Sequence, residues 1–116
     1  MPSLRPDAIQ MLDRKREVHI ATPRGRLPIW AVVVDDEAYV RSYRGEGGAW
    51  YRRAVREGRL EIEGIEARVE PANDPQLNDR ISDAFRAKYG ERSPGPTAAM
   101  VTPEVVATTL RLVAPD

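Results

Sequence analysis

The sequence predicts a mainly β domain with flanking helices, a six-stranded antiparallel split β-barrel spanning residues 1–116 as one unit. Three observations lead there. The chain has 116 residues, 41% of them hydrophobic, enough for one modest core. Six short runs carry the alternation or the branched apolar content of strands, with turn residues between them. Six antiparallel strands in so small a chain favour closure, because closing a barrel removes exposed sheet edges. An open α+β sheet is the competing arrangement.

Taken in order, "PDAIQMLDRKR" at 6–16 reads as a short helix. Pro6 suits a first turn, Asp7 favours the positive helix end, and Ile9 and Leu12 form a narrow apolar face. "EVHIATP" alternates Val18 and Ile20 with Glu17 and His19, the period of a half-buried strand. After the turn "PRGR", the run "LPIWAVVVD" at 27–35 is nearly continuous in apolar residues, which suggests burial on both faces. Asp35, Asp36 and Glu37 close a tight connection to the strand "AYVRSY". Three glycines mark "RGEGGA" at 44–49 as a flexible loop, and "WYRRAVREG" reads as a short helix stopped by Gly58.

Two further alternating strands follow around Gly64 in "RLEIEGIEARVEP". "NDPQLNDRISDAFRAKYG" is the clearest helix, with Asp74 as cap, Pro75 in the first position and Gly90 at the end. Its expected apolar stripe is Leu77, Ile81, Ala84, Phe85 and the stem of Lys88. "ERSPGPT" reads as a rigid proline-rich connection, "TPEVV" as one helical turn, and "ATTLRLV" as the last strand, in which Thr108 and Thr109 look like ordinary strand residues.

Composition narrows the chemistry. Cysteine is absent, so disulfides, thiolate metal sites and thiol nucleophiles are excluded. A single histidine, His19, argues against a histidine-rich metal site, and no metal is expected. No apolar run has the length of a signal peptide core or a membrane span, so a cytoplasmic protein without a membrane partner is expected. Zero net charge argues against a dedicated nucleic-acid binder.

The charge is nevertheless unevenly placed. In "YVRSYRGEGGAWYRRAVREGR", residues 39–59, six arginines face only Glu46 and Glu57, a local excess of four positive charges. Strand periodicity puts Arg41 on one face with Tyr39 and Tyr43, and Ser42 on the other. The following helix carries Arg52 and Arg53 in its first turn, where free N–H groups already favour an anion. Arginine adds bidentate recognition of phosphate, and Ser42 a hydroxyl. Strand, glycine-rich loop and helix start thus make a candidate phosphate cradle. The bland alternative is a solvated face pairing with Glu57, Glu61 and Glu63.

The aromatic residues divide in the same way. Trp30 fits a core or dimer interface, whereas Trp50 is the better candidate for a pocket wall. "GEGG" at 45–48 lacks the Lys-Ser/Thr of a phosphate loop, Ser42 lacks a nucleophile-elbow context, and no acid–base pair stands out. Catalytic residues stay unassigned, and any catalysis would have to come from a bound cofactor.

The run from "PIWAVVVDDEAYVRSYRGEGGAWYRRAVREGRLEIEGIEARVE", with "AFRAKYG" and "ATTLRLV" beyond it, resembles a small bacterial family catalogued as domain of unknown function 2255. That family is grouped with the FMN-binding split barrels, which include pyridoxamine phosphate oxidase-like and deazaflavin-dependent reductases. The resemblance implies a homodimer holding FMN or a deazaflavin between protomers. It implies that Arg41 and Ser42 on the third strand, with Arg52 and Arg53 at the helix start, hold the cofactor phosphate. Pro28, Ile29 and Trp30 would lie along the ring system, Trp50 would wall the pocket and Tyr43 would order substrate. A barrel that keeps the shape without a cofactor, acting as a binding or interaction module, is the alternative.

Overall fold

The computed structural model describes residues 3–115. The chain runs α1 (Pro6–Arg14), β1 (Val18–Thr22), β2 (Gly25–Ile29), β3 (Ala31–Val34), β4 (Glu37–Val40), α2 (Ala49–Glu57), β5 (Arg59–Ile62), β6 (Ile65–Pro71), α3 (Pro75–Tyr89), α4 (Pro94–Met100), α5 (Pro103–Val106) and β7 (Leu110–Val113). A one-turn 3₁₀ helix, Gly45–Gly47, precedes α2. The strands form one antiparallel sheet in the order β2-β1-β5-β6-β7-β4-β3.

The sheet has seven strands where the sequence reading expects six, and the difference lies at one residue. The run 27–35 breaks at Trp30. Residues before it pair with β1 (Leu27 with Ile20), and residues after it pair with β4 (Ala31 with Val40). The two edge strands are therefore joined by a single residue. A flat seven-stranded sheet would hold its edges roughly 29 Å apart, whereas one residue advances the chain by under ~4 Å. The sheet must curl until β2 and β3 meet at Trp30, giving a half-barrel joined through the chain rather than by a ladder.

Burial follows from that break. Ala31, Val33, Ala38 and Val40 face the barrel core with Val18, Ile20, Ile62, Ala67, Leu110 and Leu112, and Leu12 of α1 packs into the same cluster. The alternate residues Val32, Val34 and Tyr39 face outward against Ile81, Phe85 and Tyr89 of α3. Burial on both faces thus holds for 31–34 only, while β2 is exposed along almost its whole length.

Short turns set the register. The Val34–Glu37 and Ile62–Ile65 pairs each close over two residues with positive φ, Asp35 and Asp36 in one and Glu63 and Gly64 in the other, matching the twist of a hairpin. Gly58 takes φ 73° and ends α2 in the left-handed region, where a side chain would be strained.

Asp74 caps α3 by accepting from the Leu77 N–H at 2.8 Å. The buried stripe of α3 is Asn78, Ile81, Ser82, Phe85 and Tyr89, rotated from the expected stripe so that two polar residues face inward. The segment read as a rigid connection forms α4 instead. Pro94 and Pro96 fall in its first turn, where the missing N–H groups have no intrahelical acceptor anyway. Among the described residues no helix is long and apolar enough to cross a membrane.

Candidate functional site

Ladder pairing of β4 ends at Val40, and the next two residues point apart. The Ser42 N–H donates to Thr108 Oγ1 at 2.9 Å, and Thr108 Oγ1 in turn donates to the Val105 carbonyl at 2.6 Å. The Ser42 carbonyl accepts from the Gly45 N–H, and the Gly45 carbonyl from the Gly48 N–H. Ser42 is therefore fixed on both sides, yet its hydroxyl is buried and has no hydrogen-bond partner among the described residues. It lies against Gly48, the residue that starts α2, so closely that a methyl group on Gly48 would collide with Ser42 Oγ. Among the described residues no side chain caps α2, which leaves the N–H groups of Ala49, Trp50 and Tyr51 without a side-chain acceptor.

Around this helix start the cationic and aromatic residues have distinct settings. Arg52 is exposed. Arg53 Nε donates to Glu57 at 3.2 Å, while its Nη1 is buried without a hydrogen-bond partner among the described residues. Tyr43 is 59% exposed. Trp50 and Tyr51 meet edge to face with centroids 6.3 Å apart and pack against the barrel core. Burial, and then the charge of Glu46, raises the pKa of the Tyr51 hydroxyl.

Arg41 turns the other way, under α3. Its Nε donates to Thr109 Oγ1 (2.8 Å), Nη1 to Ser82 Oγ (2.9 Å) and the Met100 carbonyl (3.1 Å), and Nη2 to the carbonyl (3.1 Å) and Oδ1 (3.2 Å) of Asn78. The guanidinium also lies 5.2 Å from the centre of the Phe85 ring. All five donors are engaged inside the fold, leaving none for a phosphate. No carboxylate pairs with it among the described residues. Burial, with Arg86 as a second cause, lowers its pKa from 12.5 to about 10, so it is fully charged at neutral pH.

Residues 28–30 do not join the α2 start as one surface. Pro28 lies on the exposed edge strand, and Ile29 packs on the barrel core. Trp30 stacks on Tyr89 at 4.0 Å with the planes 3° apart. Tyr89 in turn donates to the Ala31 carbonyl and accepts from the Ala31 N–H, and Lys88 Nζ donates to the Ala31 and Leu12 carbonyls. Burial raises the Tyr89 hydroxyl to about 12, so it acts there as a neutral donor and acceptor. The end of α3 thereby clamps the seam of the half-barrel.

The structure thus brings Ser42, Tyr43, Trp50, Arg52 and Arg53 into one loop-and-helix region, and sends Arg41 and Trp30 to the underside of α3. Sequence reasoning missed Asn78, Ser82, Thr108 and Thr109. The two threonines lie just before β7 rather than in it. Two polar residues four apart on the inner stripe of α3, Asn78 and Ser82, are the signal that a buried cation needed acceptors there. Two adjoining clefts of about 410 and 360 Å³ run between α3 and α5 and share Asn78, Asp79, Pro103 and Val106. None of the sequence-predicted site residues lines either. Among the described residues no group of three or more His, Asp or Glu side chains could hold a metal ion.

These features define a small domain of curled antiparallel sheet with an uncapped, arginine-bearing helix start over a buried, unpartnered hydroxyl. The chain belongs to the family described as uncharacterized protein conserved in bacteria (DUF2255), whose model matches residues 8–112. No curated protein and no solved structure matches it significantly.

Proposed function

We propose that this protein binds a phosphate-bearing flavin-type cofactor, FMN or a deazaflavin, at the start of α2, as one half of a cytoplasmic homodimer of the FMN-binding split-barrel type. The observation that supports this most directly is the unpartnered Ser42 hydroxyl against Gly48 at an uncapped helix start. The free N–H groups of residues 49–51 and the positive helix end would hold the phosphate. Arg52 and the buried, unpaired Nη1 of Arg53 would supply charge-assisted hydrogen bonds. Trp50 would wall the pocket, and Tyr43, being exposed, is free to meet a second protomer or a substrate. Arg41 is left out of this set, because its donors already have acceptors. Trp30 offers at most one face, since Tyr89 covers the other.

When bound, the ring would supply hydride or electron transfer. The chain's own contribution would be to position the phosphate and to exclude water. An absorption spectrum of the purified protein, followed by titration with FMN and with the deazaflavin, tests this. The expected result is saturable binding that Arg52→Ala with Arg53→Ala weakens by about tenfold or more, as loss of one or two charge-assisted bonds would. Unchanged affinity in that double variant refutes the phosphate cradle. A second reading, a cofactor-free binding or interaction module, is favoured by Arg41 and Trp30, two implied contacts that the fold itself occupies. Failure of both cofactors to bind would select it.

A further inference from the structure

The chain is neutral, yet its charge is segregated, and two exposed faces carry the segregation at matching spacing. On α2, Arg52 and Arg56 lie four residues apart, with Val55 between them 47% exposed. Neither arginine makes an ion pair or hydrogen bond among the described residues. On α3, Asp79 and Asp83 are also four residues apart and, with Arg86, form a net acidic wall of the cleft whose opposite wall is Pro103 and Val106. Among the described residues Asp79 has no ion-pair or hydrogen-bond partner, and Asp83 is 76% exposed and paired with Arg86 of its own helix. Four residues along a helix advance about 6 Å, so the two pairs share one spacing.

We propose that the α3–α5 cleft is the docking site for α2 of a second copy of this chain. Val55 enters against Pro103 and Val106, and Arg52 and Arg56 meet Asp79 and Asp83. One wall of the cleft is apolar and the other polar, so a helix can lay Val55 on the first and its charges on the second, a form of helix-in-groove recognition. The contact is heterologous, each chain presenting a helix to one neighbour and a groove to the same or another. Because the ion pairs are exposed, the association is weak and sensitive to salt.

Sedimentation velocity across a concentration series, at low and high salt, reads this directly. Wild-type protein is expected to self-associate at low salt and to separate at high salt. Arg52→Glu/Arg56→Glu makes both faces acidic, and Asp79→Lys/Asp83→Lys makes both basic. Each variant alone should associate at least about tenfold more weakly, because both exposed pairs are lost and like charges take their place. Mixing the two should restore association, since the acidic helix of one then fits the basic groove of the other. Circular dichroism of each variant checks that both remain folded. A wild-type monomer at every concentration, association equal in all variants, or a mixture no tighter than its components would each overturn the proposal. A salt-insensitive dimer common to every variant would do so while leaving the split-barrel homodimer intact. Docking and the phosphate cradle compete for Arg52, so at high salt, where docking is absent, Asp79→Lys/Asp83→Lys, whose changes lie outside the cradle, should bind FMN as wild type does.

Discussion

Replacing Arg41 by alanine separates the two roles this residue could have. As a phosphate anchor it would leave stability untouched when removed. In the structure it is the tie between β4, α3, α4 and the segment before β7, with five hydrogen bonds to Thr109, Ser82, Met100 and Asn78. Bonds to a charged donor contribute about 1.5–3 kcal/mol each, and they do not add fully when they share one group. Removing the side chain also strands the buried Met100 carbonyl and the Asn78 Oδ1 and uncovers one face of Phe85. A loss of at least about 4 kcal/mol follows, a large share of a typical domain stability of about 5–15 kcal/mol. Arg41→Lys keeps the charge and at most three donors, and should fall between alanine and wild type. Urea unfolding followed by tryptophan fluorescence measures this as a shift of the midpoint at unchanged slope. With a slope of about 1–3 kcal/mol/M, the alanine variant should unfold at least about 1.3 M earlier. An alanine variant within about 1 kcal/mol of wild type would refute the structural role. If it also lost FMN affinity, Arg41 would return to the cradle.

Glu63 gathers Lys15 at 2.8 Å and the side chain and N–H of His19, and these lower its pKa from the ordinary 4.5 to about 2. A depressed carboxylate stabilises the fold above its unfolded pKa. Up to about 3 kcal/mol should therefore be present above pH 4.5 and disappear as pH falls toward 2, whereas Glu63→Gln should show a flatter acid limb in the same titration of stability. Gly48→Ala should destabilise by about 1–3 kcal/mol through its clash with Ser42 Oγ, and adding Ser42→Ala should recover part of that loss. Asp74→Ala should cost about 1 kcal/mol in chemical denaturation by leaving the Leu77 N–H without its cap.

Local chemistry was legible where a single residue type decides the backbone. Pro75 and Asp74 announced α3, Gly58 announced the end of α2, and Asp35-Asp36 announced a tight turn. What escaped was whatever depended on partners distant in sequence. The break at Trp30 is invisible in a continuous apolar run, because only pairing with β1 on one side and β4 on the other splits it. Hydrophobicity alone marks Ile81 and Phe85 of the α3 inner stripe correctly but adds Leu77 and Ala84. Asn78 and Ser82 are buried instead because a charged side chain 37 to 41 residues earlier needs acceptors there.

The arginine-rich segment makes the same point in miniature, since one residue type in one short run takes several physical roles. Arg41 is a buried tie with neutral acceptors. Arg53 and Arg59 form exposed pairs with Glu57 and Glu66, the bland outcome expected of surface charge. Arg44, Arg52 and Arg56 have no ion-pair or hydrogen-bond partner among the described residues. Strand alternation decided the first role, because a one-residue step from Ser42 reverses the face to which the side chain points. Helix periodicity decided the roles on α2, turning Arg53 back toward Glu57 four residues on and leaving Arg52 and Arg56 on the outer face. Among the described residues the excess of four charges therefore reduces to three arginines without a partner and the unpaired Nη1 of Arg53. Those groups, rather than the whole cluster, are what an anionic partner at this end of the molecule must engage.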